Sequence, residues 1–335
     1  MKKSLFIALI LVYSSQVFSG SFIFAGDANG VNIIAHPHGF SSTNTAVINV
    51  NVCIDPASSV TAPLELPTKN VINTWNNLTM VSPNIFLGGA NNIPSGQLDW
   101  ESTVLHEVGH CIGLAHPNLG GQTGVTGNNT DYTATTKGSN NTFAFGAGAD
   151  GIIGSADDAR DDDVNLHWFN KGINNPFVAS PPYDSSNYSR LTGDLPVGHA
   201  FVANADRDVG ASLGYSSSEA VMQQGTFGDE DQRKLAIDDA VSIRIAMSGL
   251  DETQGTADDY TIKLHYLGVS SSSNCHINIK HDTSYGGLAV CNVGGTFINA
   301  NHIAITTANI RVGTAFNWFF NTVDTSDVIF AHGFE

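Results

Sequence analysis

Between Leu98 and Pro117 the chain reads LDWESTVLHEVGHCIGLAHP, its densest run of groups able to do chemistry. His106 and His110 are four residues apart. On a helix that spacing puts two imidazoles on one face, one turn apart, as two ligands of a single metal require. Glu107 lies about 100° round the helix from His106, where its carboxylate reaches a water on the metal without becoming a ligand. Gly113 is expected to end the helix in a conformation that tolerates positive φ. The turn would then return His116 as a third imidazole. Three neutral nitrogens and one open position suit catalytic zinc, whereas hard cations want oxygens. Zinc lowers the pKa of its water toward ~7 and polarises a carbonyl, so Glu107 could take the water's proton and pass it to a leaving amine. A lone histidine on a helix is more often a core residue. Three in register with the Glu and the Gly favour the metal.

The helix that must carry these groups has its own signals. Asp99 is a fair N-cap, and Val104, Leu105, Val108, Cys111 and Ile112 form an apolar face at helical spacing. Upstream, Val31–Ala35 and Ala46–Cys53 alternate like paired strands, and Pro67–Leu78 reads as a helix with Val71, Ile72 and Trp75 inward. Asn84–Gly88 is expected as a short strand before the zinc helix. Downstream, Asp238–Gly249 reads as a capped amphipathic helix ending in Gly. After Asp259 the pattern becomes strands alone, expected as a small β-sandwich-like module in which His265, His276, His281 and His302 lack ligand spacing.

The spacing HExxHxxGxxH, carried by His106, Glu107, His110, Gly113 and His116, resembles the signature of the metzincin zinc metallopeptidases. The resemblance implies an α+β catalytic domain: a twisted, mostly β sheet, a zinc helix and a C-terminal helix. It also implies a methionine turn beneath the zinc, for which Met222 is the candidate, an ordinary core methionine being the alternative. The Asp238-Asp239 start of the following helix is similar to the matrixin branch, whereas Pro117 after the third His is similar to serralysins. Gln224 stands where serralysins carry a tyrosine, so no tyrosine ligand is expected. An edge strand taking the substrate backbone is also implied, and Asn84–Gly88 is the candidate. The expected layout is a metzincin-like domain over 20–250 with a long insertion at about 118–215, a β-rich module over 251–328 and a short tail over 329–335.

The remaining features bear on location and partners. Lys2 and Lys3 precede the apolar run Leu5–Val12, and Val17-Phe18-Ser19 supplies a cleavage site, so residues 1–19 read as a secretory signal with cleavage after Ser19. The apolar run is too short to span a bilayer, and no later segment holds eighteen consecutive apolar residues. Lys and Arg number 14 against 31 Asp and Glu, a formal charge of −17, which repels phosphate backbones and anionic lipid heads. A protein or peptide substrate is expected rather than nucleic acid or membrane; oligomeric state is left open. In an exported chain four cysteines read as disulfides. Cys275 and Cys291 flank a hairpin-like segment and are expected to pair, which leaves Cys53 with Cys111.

Two acidic turns share a D-x3-G-[ST]-A-D-D pattern: Asp150, Asp157 and Asp158 in the first, Asp251, Asp258 and Asp259 in the second. They are candidate Ca²⁺ sites, with solvated acidic turns as the alternative. The leading expectation for the whole is a secreted zinc endopeptidase. The alternative is an exported adhesion or binding protein with a non-proteolytic metzincin-like domain, against which the intact Glu107 argues.

Overall fold

The computed structural model describes residues 22–25, 29, 32–41, 46–78, 91–116, 219–223, 225, 226 and 228–324, with short pieces between 145 and 207. Its strands are β1 (Ile34–His36), β2 (Val47–Ile54), β3 (Leu98–Asp99), β4 (Phe145–Gly146), β5 (Ala159–Arg160), β6 (Phe169–Asn170), β7 (Tyr188–Ser189), β8 (Thr261–Val269), β9 (Ile277–Asp282), β10 (Ala289–Phe297), β11 (His302–Gly313) and β12 (Trp318–Phe319). The helices are α1 (Glu65–Asn77), α2 (Trp100–Cys111) and α3 (Ile237–Met247).

Six strands make one mixed sheet. β1 and β9 both pair in parallel with β11, β9 pairs in parallel with β2, and β2 pairs in parallel with β8. β10 pairs antiparallel with β11 along its length and is the antiparallel member of this sheet. The period-two pattern of β2 buries Ile48, Val50 and Val52 and leaves Val47 exposed, as a half-buried strand requires. In β9 and β11, Ile277, Ile279, Ile305, Ile310 and Val312 supply the sheet's share of the core. The architecture is thus α+β, with α1, α2 and α3 set against a mostly parallel sheet.

Two expectations about the strands are corrected. β1 and β2 are strands but do not pair with each other; β11 lies against the one, β8 and β9 against the other. Among the described residues of the β-rich module expected over 251–328, no separate sandwich-like sheet forms either, because β8, β9 and β11 complete the sheet that β1 and β2 begin. Parallel neighbours are joined by long crossovers, so alternation within one strand carries no information about its partner. The chain's end also returns to the front of α2: β12 pairs with β3 immediately before the helix, Trp318 opposite Leu98.

The helices sit where the site needs them. α1 buries Val71, Ile72 and Trp75 and packs on α2 and β8. Its Trp75 indole donates to the Leu105 carbonyl at 3.0 Å, and Asn76 exchanges hydrogen bonds with the backbone of Leu264. α2 packs on β10 and β11. α3, expected to be amphipathic, is buried nearly all round, with Asp239, Ala240, Val241, Ser242, Ile243, Ile245 and Ala246 all inside. Among the described residues no helix is long and apolar enough to cross a membrane.

Candidate metal centre

The segment that carries the histidines folds as its sequence dictates. Asp99 caps α2, its carboxylate accepting from the Ser102 N–H at 3.0 Å. The Arg233 guanidinium grips that carboxylate with two hydrogen bonds of 2.8 Å, fixing the helix start against the segment before α3. Gly113 adopts φ +123°, and a Cβ there would stand 2.7 Å from the Ala35 carbonyl oxygen. The position demands glycine twice over, for its left-handed backbone and for the close passage of β1. Beyond it, Phe22 forms a bridge to Leu114 and Ile23 donates to the Gly113 carbonyl, which pins the turn that carries His116.

The three histidines converge. Their ligand atoms all lie within 4.8 Å of one another, and among the described residues they are the group of His, Cys, Asp or Glu so disposed. His106 and His116 bring their Nε2 atoms to 3.4 Å. Two nitrogens on a tetrahedral zinc with bonds of about 2.0–2.1 Å stand about 3.3 Å apart, so the separation fits the ion. His106 Nδ1 lies 2.7 Å from the Val221 carbonyl and His110 Nδ1 lies 2.9 Å from the Leu114 carbonyl. A carbonyl can only accept, so each Nδ1 carries the proton and each Nε2 is left with a lone pair for a metal. Burial without a counter-charge holds all three rings neutral: desolvation takes His106 down to about 4 and, with the neighbouring His106, His110 down to about 3, while His116 falls well below the usual range. His116 Nδ1 and Glu107 Oε2 are buried with no hydrogen-bond partner among the described residues. The donor set therefore fits a borderline-soft cation such as zinc.

Glu107 is buried beside this trio, and desolvation raises its pKa to about 8, the nearby backbone of Cys291 opposing the rise. Tyr285, in the turn before β10, is near enough for the Glu107 charge to raise its pKa, after the larger effect of burial; its hydroxyl donates to the Ala289 carbonyl at 3.3 Å.

Met222 lies directly under α2. A Cβ on Gly109 would clash with its Sδ, so the sulfur fills the space that a larger residue at 109, between His106 and His110 in sequence, would occupy. Asp239 holds this turn from below: its carboxylate accepts from the backbone N–H of Val221 and Met222 at 3.0 Å each and of Ala236 at 2.8 Å. Burial raises Asp239 to about 7, Asp238 adding to the rise while the three N–H groups oppose it. A second network fixes the turn from outside, where Glu219 accepts from Arg207, Gln223 and Gln232.

The sequence placed Asp238 and Asp239 at a helix start, and the capping preference of such residues was the available signal for Asp239. Nothing local pointed to the Val221 carbonyl or to Cys291 as a neighbour of Glu107, since both arrive from segments more than a hundred residues away.

The disulfides overturn the expected pairing. Cys53 bonds Cys275, and Cys111 bonds Cys291, with Cα–Cα distances of 5.7 and 5.9 Å. Cys275–Cys291 and Cys53–Cys111 are therefore both excluded. The segment between Cys275 and Cys291 is not a closed hairpin: β9 runs parallel to β11 and β10 antiparallel to it, and the two cysteines end on different neighbours.

In the second acidic turn the carboxylates are engaged by the turn itself. Asp251 accepts from Thr253 N–H at 2.9 Å, Asp258 from Leu250 N–H at 2.6 Å and Asp259 from Gly255 N–H at 2.6 Å. They do not gather into a metal-holding group. Asp150, Asp157 and Asp158 lie outside the described residues, as do Pro117, Gln224, Asn84–Gly88, the leader over 1–19 and the tail over 329–335.

No protein-family model matches this chain, and no curated protein and no solved structure shows significant similarity to it.

Proposed function

We propose that the chain is an exported zinc-dependent endopeptidase of metzincin type. The observation that carries this reading is the convergence of three neutral histidines, each helix ligand oriented by a backbone carbonyl, beside a buried carboxylate with one unpartnered oxygen. His106, His110 and His116 would hold the ion, and Met222 with Asp239 would support the trio from beneath. Zinc, when bound, supplies a water of lowered pKa and polarises the scissile carbonyl. Glu107 accepts the proton of the attacking water and delivers it to the departing amine.

β10 supports a peptide substrate. It lies against α2, and among the described residues its second edge is unpaired. An extended peptide can add there as a further strand, its backbone held by main-chain hydrogen bonds. The two disulfides favour an oxidising compartment, in keeping with the leader-like first nineteen residues.

The test is Glu107→Ala. Zinc should stay bound in stoichiometric amount while hydrolysis of a peptide library falls by about 100- to 10,000-fold. A wild-type protein that carries zinc yet cleaves nothing in that library would instead favour a binding module.

A further inference from the structure

Two of the three histidines take their aim from one short turn. His110 Nδ1 donates to the Leu114 carbonyl at 2.9 Å. His116 follows two residues after Leu114, and its own Nδ1 has no partner among the described residues. The placement of both rings thus passes through the backbone around Leu114, whereas His106 has the Val221 carbonyl from another segment.

That turn is braced on two sides. Gly113 rides against Ala35 of β1. From the other side, Phe22 bridges Leu114 in antiparallel fashion, and the Ile23 N–H donates to the Gly113 carbonyl at 2.9 Å. Phe22 and Leu114 are 0% and 1% exposed, so a backbone bond lost here is not readily replaced by water. The far end of the same segment is fastened to the sheet. Ala25 packs with Ile33 and Ile303, and the Asn29 amide donates to the Phe24 carbonyl at 2.9 Å. The Phe24 ring lies over Gly295 of β10, where a Cβ would stand 2.9 Å from it. Phe24 takes φ +74°, a conformation that a phenylalanine keeps only where its surroundings hold it. Residues 22–25 therefore tie the sheet to the turn that aims two ligands.

Such a tie is coupled to the ion in both directions. An ion held by His110 and His116 favours the turn in the arrangement that the docked segment also favours, so each strengthens the other by the same factor. With the segment undocked, affinity for the ion falls by the fraction of chains whose turn stays competent.

We infer that residues 22–25 are a positioning strap for His110 and His116, and that an intact start of the exported chain regulates zinc affinity. Phe22 stands three residues after Ser19, where leader cleavage is expected, so trimming of a few residues removes the contact. The inference rests on the reading of the three histidines as zinc ligands.

The experiment measures zinc affinity by competition with a chelator, together with the denaturation midpoint of the metal-free protein. It compares the exported chain with Phe22→Ala, Phe22→Leu, Val50→Ala and a chain trimmed to begin at Phe24. Val50 is as fully buried as Phe22 but lies in β2. We expect the zinc Kd to rise about 10- to 100-fold in Phe22→Ala and in the trimmed chain. Phe22→Leu and Val50→Ala should stay within about threefold of the exported chain, although Val50→Ala lowers the midpoint. Full affinity in Phe22→Ala would overturn the inference. So would an equal loss in Val50→Ala, which would reduce the effect to general stability. A second arm needs no variant and decides the matter if those proteins do not fold. In the unaltered chain, zinc should slow amide exchange at Ile23 at least about tenfold more than at Ser270, whose N–H donates to the Ile54 carbonyl. Equal slowing at both amides would count against the strap. If the unaltered chain binds no zinc, the metal-centre reading fails and takes the inference with it; tight zinc binding that ignores residue 22 sinks the inference alone.

Discussion

Two histidine clusters among the described residues are built on opposite principles. In the first, His106, His110 and His116 point ring nitrogens at one another, while Nδ1 of each helix histidine is tied outward to a backbone carbonyl. In the second, His36 and His302 satisfy each other: His36 Nε2 lies 2.8 Å from His302 Nδ1, His36 Nδ1 lies 2.9 Å from the Tyr260 hydroxyl, and His302 Nε2 approaches Glu252 at 3.5 Å. His36 also stacks on Phe40, their centroids 3.9 Å apart. The second cluster is a linear chain of donors and acceptors, from Tyr260 through His36 and His302 to Glu252, and it holds β1 to β11. The first leaves lone pairs converging on a common point, an arrangement with no internal partner that asks for a cation. Burial alone does not separate a ligand from a core histidine; the direction in which the nitrogens are spent does.

The largest effect should come from breaking the first cluster. His110→Ala is expected to take bound zinc from stoichiometric to near zero on metal analysis after dialysis, whereas His302→Asn should leave metal content untouched. Equal loss in both would erase the distinction.

Gly113→Ala should be next. The forced φ and the 2.7 Å approach to Ala35 cost roughly 1–3 kcal/mol, and the strain falls on the turn that carries His116. Both the denaturation midpoint and zinc affinity should drop together; a variant that loses stability and keeps full affinity would show that His116 is placed by something else.

The pH dependence of stability sharpens the contrast. Desolvation, with the nearby His302, holds His36 well below its usual pKa despite an opposing pull from Asp258. Above pH ~6.5 the ring is neutral in both folded and unfolded chains and contributes no slope. As pH falls below 6.5 the unfolded chain takes a proton that folded His36 refuses, so stability declines by up to ~1.4 kcal/mol per pH unit for this group. The ligand histidines add a slope of the same sign, but equally in both proteins, so wild-type holoprotein should lose stability between pH 6.5 and 5 more steeply than His36→Gln. Parallel curves would remove His36 from the account.

Met222→Leu should be the mildest change. A volume-conserving swap beneath Gly109 is expected to cost less than ~1.5 kcal/mol and to leave zinc bound. A loss of zinc on that change would give the sulfur a role beyond filling space.

What could be read before folding was whatever depends on neighbours in sequence. The cap at Asp99, the pair His106 and His110, the glycine at 113 and the inward face of α1 follow from helical period and backbone preference, and each stands where expected. Met222 was picked out only through a family resemblance; its contact with Gly109 is a tertiary fact. The disulfide partners, the pairing of β1 and β2 with C-terminal strands, and the seat of Asp239 under the Val221–Met222 turn were not legible. Each joins segments far apart along the chain, and local patterns carry no address for such partners. The sequence by itself determined a short helix able to present two imidazoles and a carboxylate, because those positions are fixed by 3.6 residues per turn. Only the tertiary structure decided that His106 is aimed by a carbonyl from Val221, that α2 packs against β10, and that the last third of the chain completes the sheet behind them. Those contacts depend on which surfaces bury one another, and no residue can specify that alone.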